Sequence, residues 1–116
     1  MVKYRSDDIS NVFSALADPT RRAMLAQLAL GETSVSELAA PYRISLAAAS
    51  KHLSVLASAG LVNKRKVGRV VRCRFSAKRM KEAMAWMEQY ERFWSGQLDS
   101  LDDYLRASDE GGNDNA

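Results

Sequence analysis

The chain is poor in the residues that build covalent or metal-centred chemistry. Among its 116 residues there is one cysteine, Cys73, and one histidine, His52. A single thiol closes no disulfide within the chain, and one Cys with one His does not assemble a conventional zinc site or a Cys–His catalytic pair. There is no Gly-rich phosphate loop and no nucleophile–base pair at motif spacing, so neither an enzyme nor a cofactor is expected. No run approaches 18 consecutive apolar residues, which excludes a transmembrane helix. Met1 to Asp8 hold no apolar core of signal-peptide type, so the expected location is cytoplasmic, with no membrane partner. A chain of this length, 47% apolar and 27% charged, has room for one globular core.

Acidic residues are missing from one long interval. Nothing between Glu37 and Glu82 is acidic, while Arg43, Lys51, Lys64, Arg65, Lys66, Arg69, Arg72, Arg74, Lys78, Arg79 and Lys81 all fall there. Residues 1–76 carry 12 Lys and Arg against 5 Asp and Glu, a balance of +7, whereas residues 77–116 carry 5 against 9, a balance of −4. Solubility alone favours mixed signs. A long acid-free basic segment is either a solvated face or the footprint of a polyanion such as DNA.

What is present reads first as helices. Ile9, Val12, Phe13 and Leu16 recur at helical spacing, with Ser6 or Asp8 able to cap. Asp18-Pro19 restarts the chain as N-cap and first helical residue, Ala23, Met24, Leu25 and Leu28 form the apolar stripe, and Gly31 ends that helix. Ser34-Val-Ser-Glu37 is a capping box for a short third helix through Ala40, anchored by Leu38 and Ala39 and stopped by Pro41. Ser45 opens a fourth, 45–59, in which Ala49, Leu53 and Leu56 share one side and Gly60 is the stop.

The period then changes to two. Leu61–Val67 and Val70–Ser76 read as two strands turning at Gly68-Arg69, with Val71, Cys73 and Phe75 on a packing face and Arg72 and Arg74 on a cationic one. From Ser76 or Ala77 a last helix of roughly 28 residues, about 42 Å long, repeats apolar residues at Met80, Met84, Met87, Trp94, Leu98, Leu101 and Leu105. Trp86, Tyr90 and Phe93 widen that stripe beyond what the preceding residues can cover, which suggests a partner helix, most simply from a second copy. Gly96 is a candidate bend. Residues 108–116 are polar and expected to be a disordered tail, leaving 1–107 as the domain.

A short helix, a tight turn and a second helix rich in small polar residues form a helix-turn-helix. A helix that enters the major groove needs a face slim enough to reach base edges, and Ala47, Ala48 and Ser50 supply it; Ser45, near the helix start, Leu46 and Ser54 are further candidate DNA-binding residues. Lys51 and His52 add donors, and the amides at the helix start suit a phosphate. The basic hairpin that follows is a wing, with Lys64, Lys66, Arg69, Arg72 and Arg74 as candidate phosphate contacts.

With these segments in place, the chain resembles the ArsR/SmtB family of bacterial winged helix-turn-helix repressors. The resemblance rests on Ala17-Asp-Pro-Thr-Arg-Arg22, Ser34-Val-Ser-Glu-Leu-Ala39, Ser50-Lys-His-Leu-Ser-Val-Leu56 and Ala59-Gly-Leu-Val62, and covers residues 9–106. It implies a mainly α fold with a small β-hairpin wing, a homodimer whose first and last helices form the interface, and two recognition helices reading an inverted repeat. Ile9, Val12, Phe13, Met84, Met87, Tyr90, Trp94, Leu98 and Leu101 are then the candidate interface residues. The family's soft-metal sensors carry Cys-Val-Cys where this chain has Ser34-Val-Ser36, and its zinc and nickel sensors use histidines on the last helix, which here has none. No metal is therefore expected, and any effector is unidentified.

Several residues keep two readings. His52 is a DNA donor or a packing histidine, and Arg21 and Arg22 are phosphate contacts or part of a helix surface. Cys73 is a small core residue or a redox-active thiol. Trp86, Tyr90, Phe93 and Trp94 form a dimer core or line an effector pocket. The competing function is a winged-helix module that binds protein instead of specific DNA.

Overall fold

The computed structural model describes the backbone of residues 6–114 and the side chains of residues 8–109. The cap expected from the Ser6 side chain and the expectation for residues 1–5 and 115–116 lie outside them. The chain divides into two compact units, Met1–Ala83 and Met84–Ala116.

Asp18 separates the first two helices, α1 (Ser6–Leu16) and α2 (Pro19–Leu30). Its carboxylate accepts the backbone N–H of Arg21 at 2.9 Å, while Pro19 takes the position where a missing N–H costs nothing. Asp8 is no cap: it lies inside α1 and its carboxylate is 3.3 Å from Arg79 Nη1. Met24, Leu25 and Leu28 of α2 are buried, whereas Ala23 is exposed and drops out of the expected stripe.

A strand absent from the sequence reading follows. β1 (Thr33–Ser34) pairs antiparallel with β3 (Val70–Phe75), and β3 pairs with β2 (Val62–Val67), giving the order β1-β3-β2. Two residues are too short for an alternation signal, and Ser34 also serves as the N-cap of α3 (Val35–Ala39). Its hydroxyl accepts Glu37 N–H at 3.2 Å and donates to Glu37 Oε1 at 2.9 Å. Ala40–Tyr42 form a 3-10 turn, in which Ala40 keeps helical angles (φ −52, ψ −46) despite preceding Pro41. The tighter turn absorbs the proline that a continued α-helix would reject. Arg43 then adopts a left-handed conformation, φ 53, which reverses the chain toward α4 (Leu46–Ser58).

The core of the first unit gathers around α4. Ala49, Leu53 and Leu56 are fully buried against Val12, Met24, Leu28, Leu38, Leu61 and Cys73. The hairpin turns at Gly68, whose φ of +62 is the positive value a two-residue hairpin turn requires at its first position. α5 (Ala77–Asp114) begins where expected and is continuous through Gly96. It runs on to Asp114, past the expected boundary at 107. No proline intervenes to stop it.

Candidate nucleic-acid interface

The two sides of α4 differ in kind. Ala47, Ser50, Lys51, Ser54, Val55 and Ser58 form its exposed stripe, at the spacing that keeps residues on one helical face. Ser45 caps the helix by accepting Ala48 N–H at 3.0 Å. Leu46 is exposed and Ala48 half-buried. Asn11 and Ser14 of α1 face Lys51, Ser54 and Val55 across a cleft of about 340 Å³.

His52 leaves this stripe. It is half-buried, with Nδ1 3.5 Å from Arg21 Nη1. Arg21 also donates through Nε to Ala15 O at 2.7 Å and through Nη2 to Ser14 O at 3.2 Å, and Arg22 donates to Leu16 O at 2.6 Å. The Arg-Arg pair therefore closes the C-terminal carbonyls of α1, which a helix leaves without partners. Sequence spacing shows that two arginines open α2 but not that they turn back on α1.

Register splits the cations of the hairpin between two faces. Val62↔Phe75, Lys64↔Cys73 and Lys66↔Val71 are opposite pairs, so Lys64 and Lys66 share the face of buried Cys73. Asn63↔Arg74 and Arg65↔Arg72 occupy the other. β3 keeps the expected division, with Val71, Cys73 and Phe75 on the packing face and Arg72 and Arg74 on the cationic one, while β2 adds Lys64 and Lys66 to the first, so both faces of the hairpin carry charge. Lys64 Nζ donates to Ser54 Oγ on α4 at 3.1 Å. Arg69 stands at the turn, and Lys66 and Arg74 are exposed.

Arg72, expected as a phosphate contact, is ion-paired within the chain. Its Nε lies 3.2 Å from Glu32 Oε2 and its Nη1 3.9 Å from Glu37 Oε1. Arg65 reaches the same Glu32 oxygen at 3.4 Å. Both carboxylates lie outside the acid-free interval in sequence, and β1 brings them to it. Glu32, Asn63, Lys64, Arg65, Arg72 and Arg74 line a cleft of about 370 Å³ there. Cys73 is fully buried, and that burial pushes its thiol above the ordinary value, so it is a packing residue.

The expected interface residues divide. Val12 is 1% exposed and Ile9 7%, so both are consumed inside their own unit and offer a partner no surface; Phe13 is half-buried. Burying them within the unit satisfies the same apolar periodicity that suggested an interface. In the second unit Met84, Met87, Tyr90, Trp94, Leu98 and Leu101 are all exposed, together with Phe93, Tyr104 and Leu105. Trp86 stacks on Tyr90 with ring centroids 4.6 Å apart, and Trp94 meets both Tyr90 and Phe93 edge-on. No helix among the described residues is long and apolar enough to cross a membrane.

Residues 16–65 match the helix-turn-helix domain family. A crystal structure of an ArsR family transcriptional regulator superposes with a TM-score of 0.75 at 36% identity, covering 82% of this chain and 97% of that one. The chain belongs to the ArsR family. An HTH-type transcriptional regulator of Mycobacterium tuberculosis is 47% identical to this ArsR-family chain over 68 residues, 59% of the chain and 62% of the relative. A transcriptional repressor SmtB homolog of Synechocystis is 42% identical over 67 residues, 58% and 51% respectively. The chain thus spans between half and two thirds of the length of these curated relatives.

Proposed function

We propose that this ArsR-family protein is a DNA-binding transcriptional repressor, active as a homodimer on an inverted-repeat operator. One observation carries the reading: α4 presents a stripe of small and cationic residues, Ala47, Ser50, Lys51 and Ser54, to solvent while Ala49, Leu53 and Leu56 anchor its other side. Such a face is narrow enough to approach base edges, and the lysine supplies a donor for a guanine. Lys64 beside Ser54, with Lys66 and Arg69 farther along the hairpin, offers cations to the flanking phosphates.

The dimer is supported by the exposed apolar stripe of the second unit. A helix exposing Met84, Met87, Trp94, Leu98 and Leu101 in water has an unmet hydrophobic face, and a second copy of itself covers it symmetrically. Two copies place two α4 helices at half-sites one helical turn apart or a multiple of it. Repression follows when the occupied site excludes polymerase. The 1–107 segment is the binding domain in this reading.

Genome-wide footprinting of the tagged protein, followed by titration of the recovered site against a scrambled duplex, tests it. The expected result is a palindromic site bound about a thousandfold or more tighter than the scrambled one. Equal affinity for both duplexes overturns the reading.

A further inference from the structure

The fold returns two cations of the acid-free interval to an acid from outside it. β1 pairs with β3 as Thr33↔Cys73 and Ser34↔Arg72, which sets Glu32 against the hairpin. Arg65 and Arg72 are opposite one another across β2 and β3, so both guanidinium groups emerge on one face. A single oxygen, Glu32 Oε2, takes both, at 3.4 Å from Arg65 Nη2 and 3.2 Å from Arg72 Nε. Glu37 approaches Arg72 at 3.9 Å from the first turn of α3. The other face of the hairpin has a different arrangement: Lys64 donates to the neutral hydroxyl of Ser54. Among the described residues, Lys66, Arg69 and Arg74 have no ion pair.

A carboxylate presents an arginine with the same kind of ligand as a phosphate: anionic oxygens that accept guanidinium N–H bonds. We infer that Glu32 is a built-in competitor of DNA phosphate for Arg65 and Arg72, and that it limits the sequence-independent part of DNA affinity. The inference rests on the DNA-binding reading above. Two cations held by one acid are not released to phosphates without breaking those pairs. The hairpin therefore offers DNA fewer charges than its composition suggests. Glu32 acts through the two arginines and is a positioning residue, not a DNA contact.

The salt dependence of binding reads this directly, because each phosphate newly neutralised steepens the slope of log K against log salt by about 0.9. Scrambled duplex isolates the sequence-independent term. Glu32→Gln keeps the shape of the side chain and removes its charge. The expected result is tighter binding to scrambled duplex, with a slope steeper by about 0.9 to 1.8. The Arg65→Gln/Arg72→Gln double variant is expected to keep the wild-type slope, since those cations are already withheld. In that background Glu32→Gln is expected to change nothing. An unchanged slope in Glu32→Gln overturns the inference alone, as does a Glu32→Gln effect that persists without the two arginines. Should Glu32→Gln fail to fold, the double variant decides: a slope shallower than wild type by about 1.8 shows both arginines already on phosphates and overturns it. Wild-type protein that binds no duplex at any salt overturns the DNA-binding reading, and this inference with it.

Discussion

Lys64 Nζ donates to Ser54 Oγ across 3.1 Å, so a cation of the hairpin stands on the exposed stripe of α4. Through this contact the element proposed to read bases and the element proposed to hold the backbone meet on one surface. Lys51 lies one helical turn before Ser54 on the same stripe, while Arg69 stands at the hairpin turn.

Those positions separate two kinds of loss. Lys51→Ala is expected to weaken operator binding by about 1–3 kcal/mol and scrambled-duplex binding much less. Arg69→Ala is expected to weaken both duplexes alike and to make the salt slope shallower by about 0.9. Fluorescence titration of both variants on both duplexes checks this. Equal losses for Lys51→Ala on the two duplexes would reject its base-reading role.

Leu98 is 54% exposed, so replacing it disturbs little within its own unit. Leu98→Lys is expected to shift the protein from twice the chain mass to once by light scattering at micromolar concentration. Affinity for a full inverted repeat should fall, while affinity for an isolated half-site holds. Wild-type protein that is monomeric under the same conditions overturns the dimer.

Gly60 joins α4 to β2 at φ +79, and a Cβ placed there would lie 2.5 Å from Arg79 Cγ. Arg79 cannot yield freely, because Nη1 is held by Glu82 at 2.7 Å and Asp8 at 3.3 Å. Gly60→Ala therefore meets both backbone strain and a clash. We expect a loss of about 1–3 kcal/mol, seen as a lower Tm in thermal denaturation. A Tm equal to wild type would show that the linkage relaxes at no cost.

The Asp18 cap has a defined pH dependence. The Arg21 backbone N–H holds its carboxyl below the ordinary aspartate value; burial is the next influence and opposes it, and the weaker attractions of Arg21 and His52 pull the same way as the hydrogen bond. A carboxylate depressed in the folded state contributes stability that is complete above its unfolded-state pKa. That contribution is lost as pH falls through the lower folded-state value. Asp18→Asn keeps a capping oxygen but not the charge. It should be less stable than wild type at neutral pH, and the gap should close below about pH 4. A gap that stays constant from neutral to acidic pH would show that the charge contributes nothing.

Local signals carried most of the fold. The Asp18-Pro19 start, the Ser34–Glu37 capping box, the cap at Ser45 and the Gly68 turn each act within a few residues, so the chain declares them without tertiary help. The stripe of α4 was legible for the same reason: helical period alone puts Ala47, Ser50, Lys51 and Ser54 opposite Leu53 and Leu56. Apolar period could not say against what a stripe is buried. The first helix spends Ile9 and Val12 inside its own unit, while the last leaves Met84, Met87, Trp94, Leu98 and Leu101 exposed.

The helix-turn-helix, the hairpin and the surplus of positive charge follow from chain order alone, because caps, turns and periodicity are short-range. Which of those charges are paired within the chain depends on how it folds. Pairing of β1 with β3 joins residues some forty positions apart, and it brings Glu32 to Arg65 and Arg72 across a gap that no local pattern records. The turn of Arg21 onto α1 and His52 is likewise a long-range meeting. Coulomb attraction and hydrogen bonding depend on distance in space, so the partners of a charge follow from the fold and not from its neighbours in the chain.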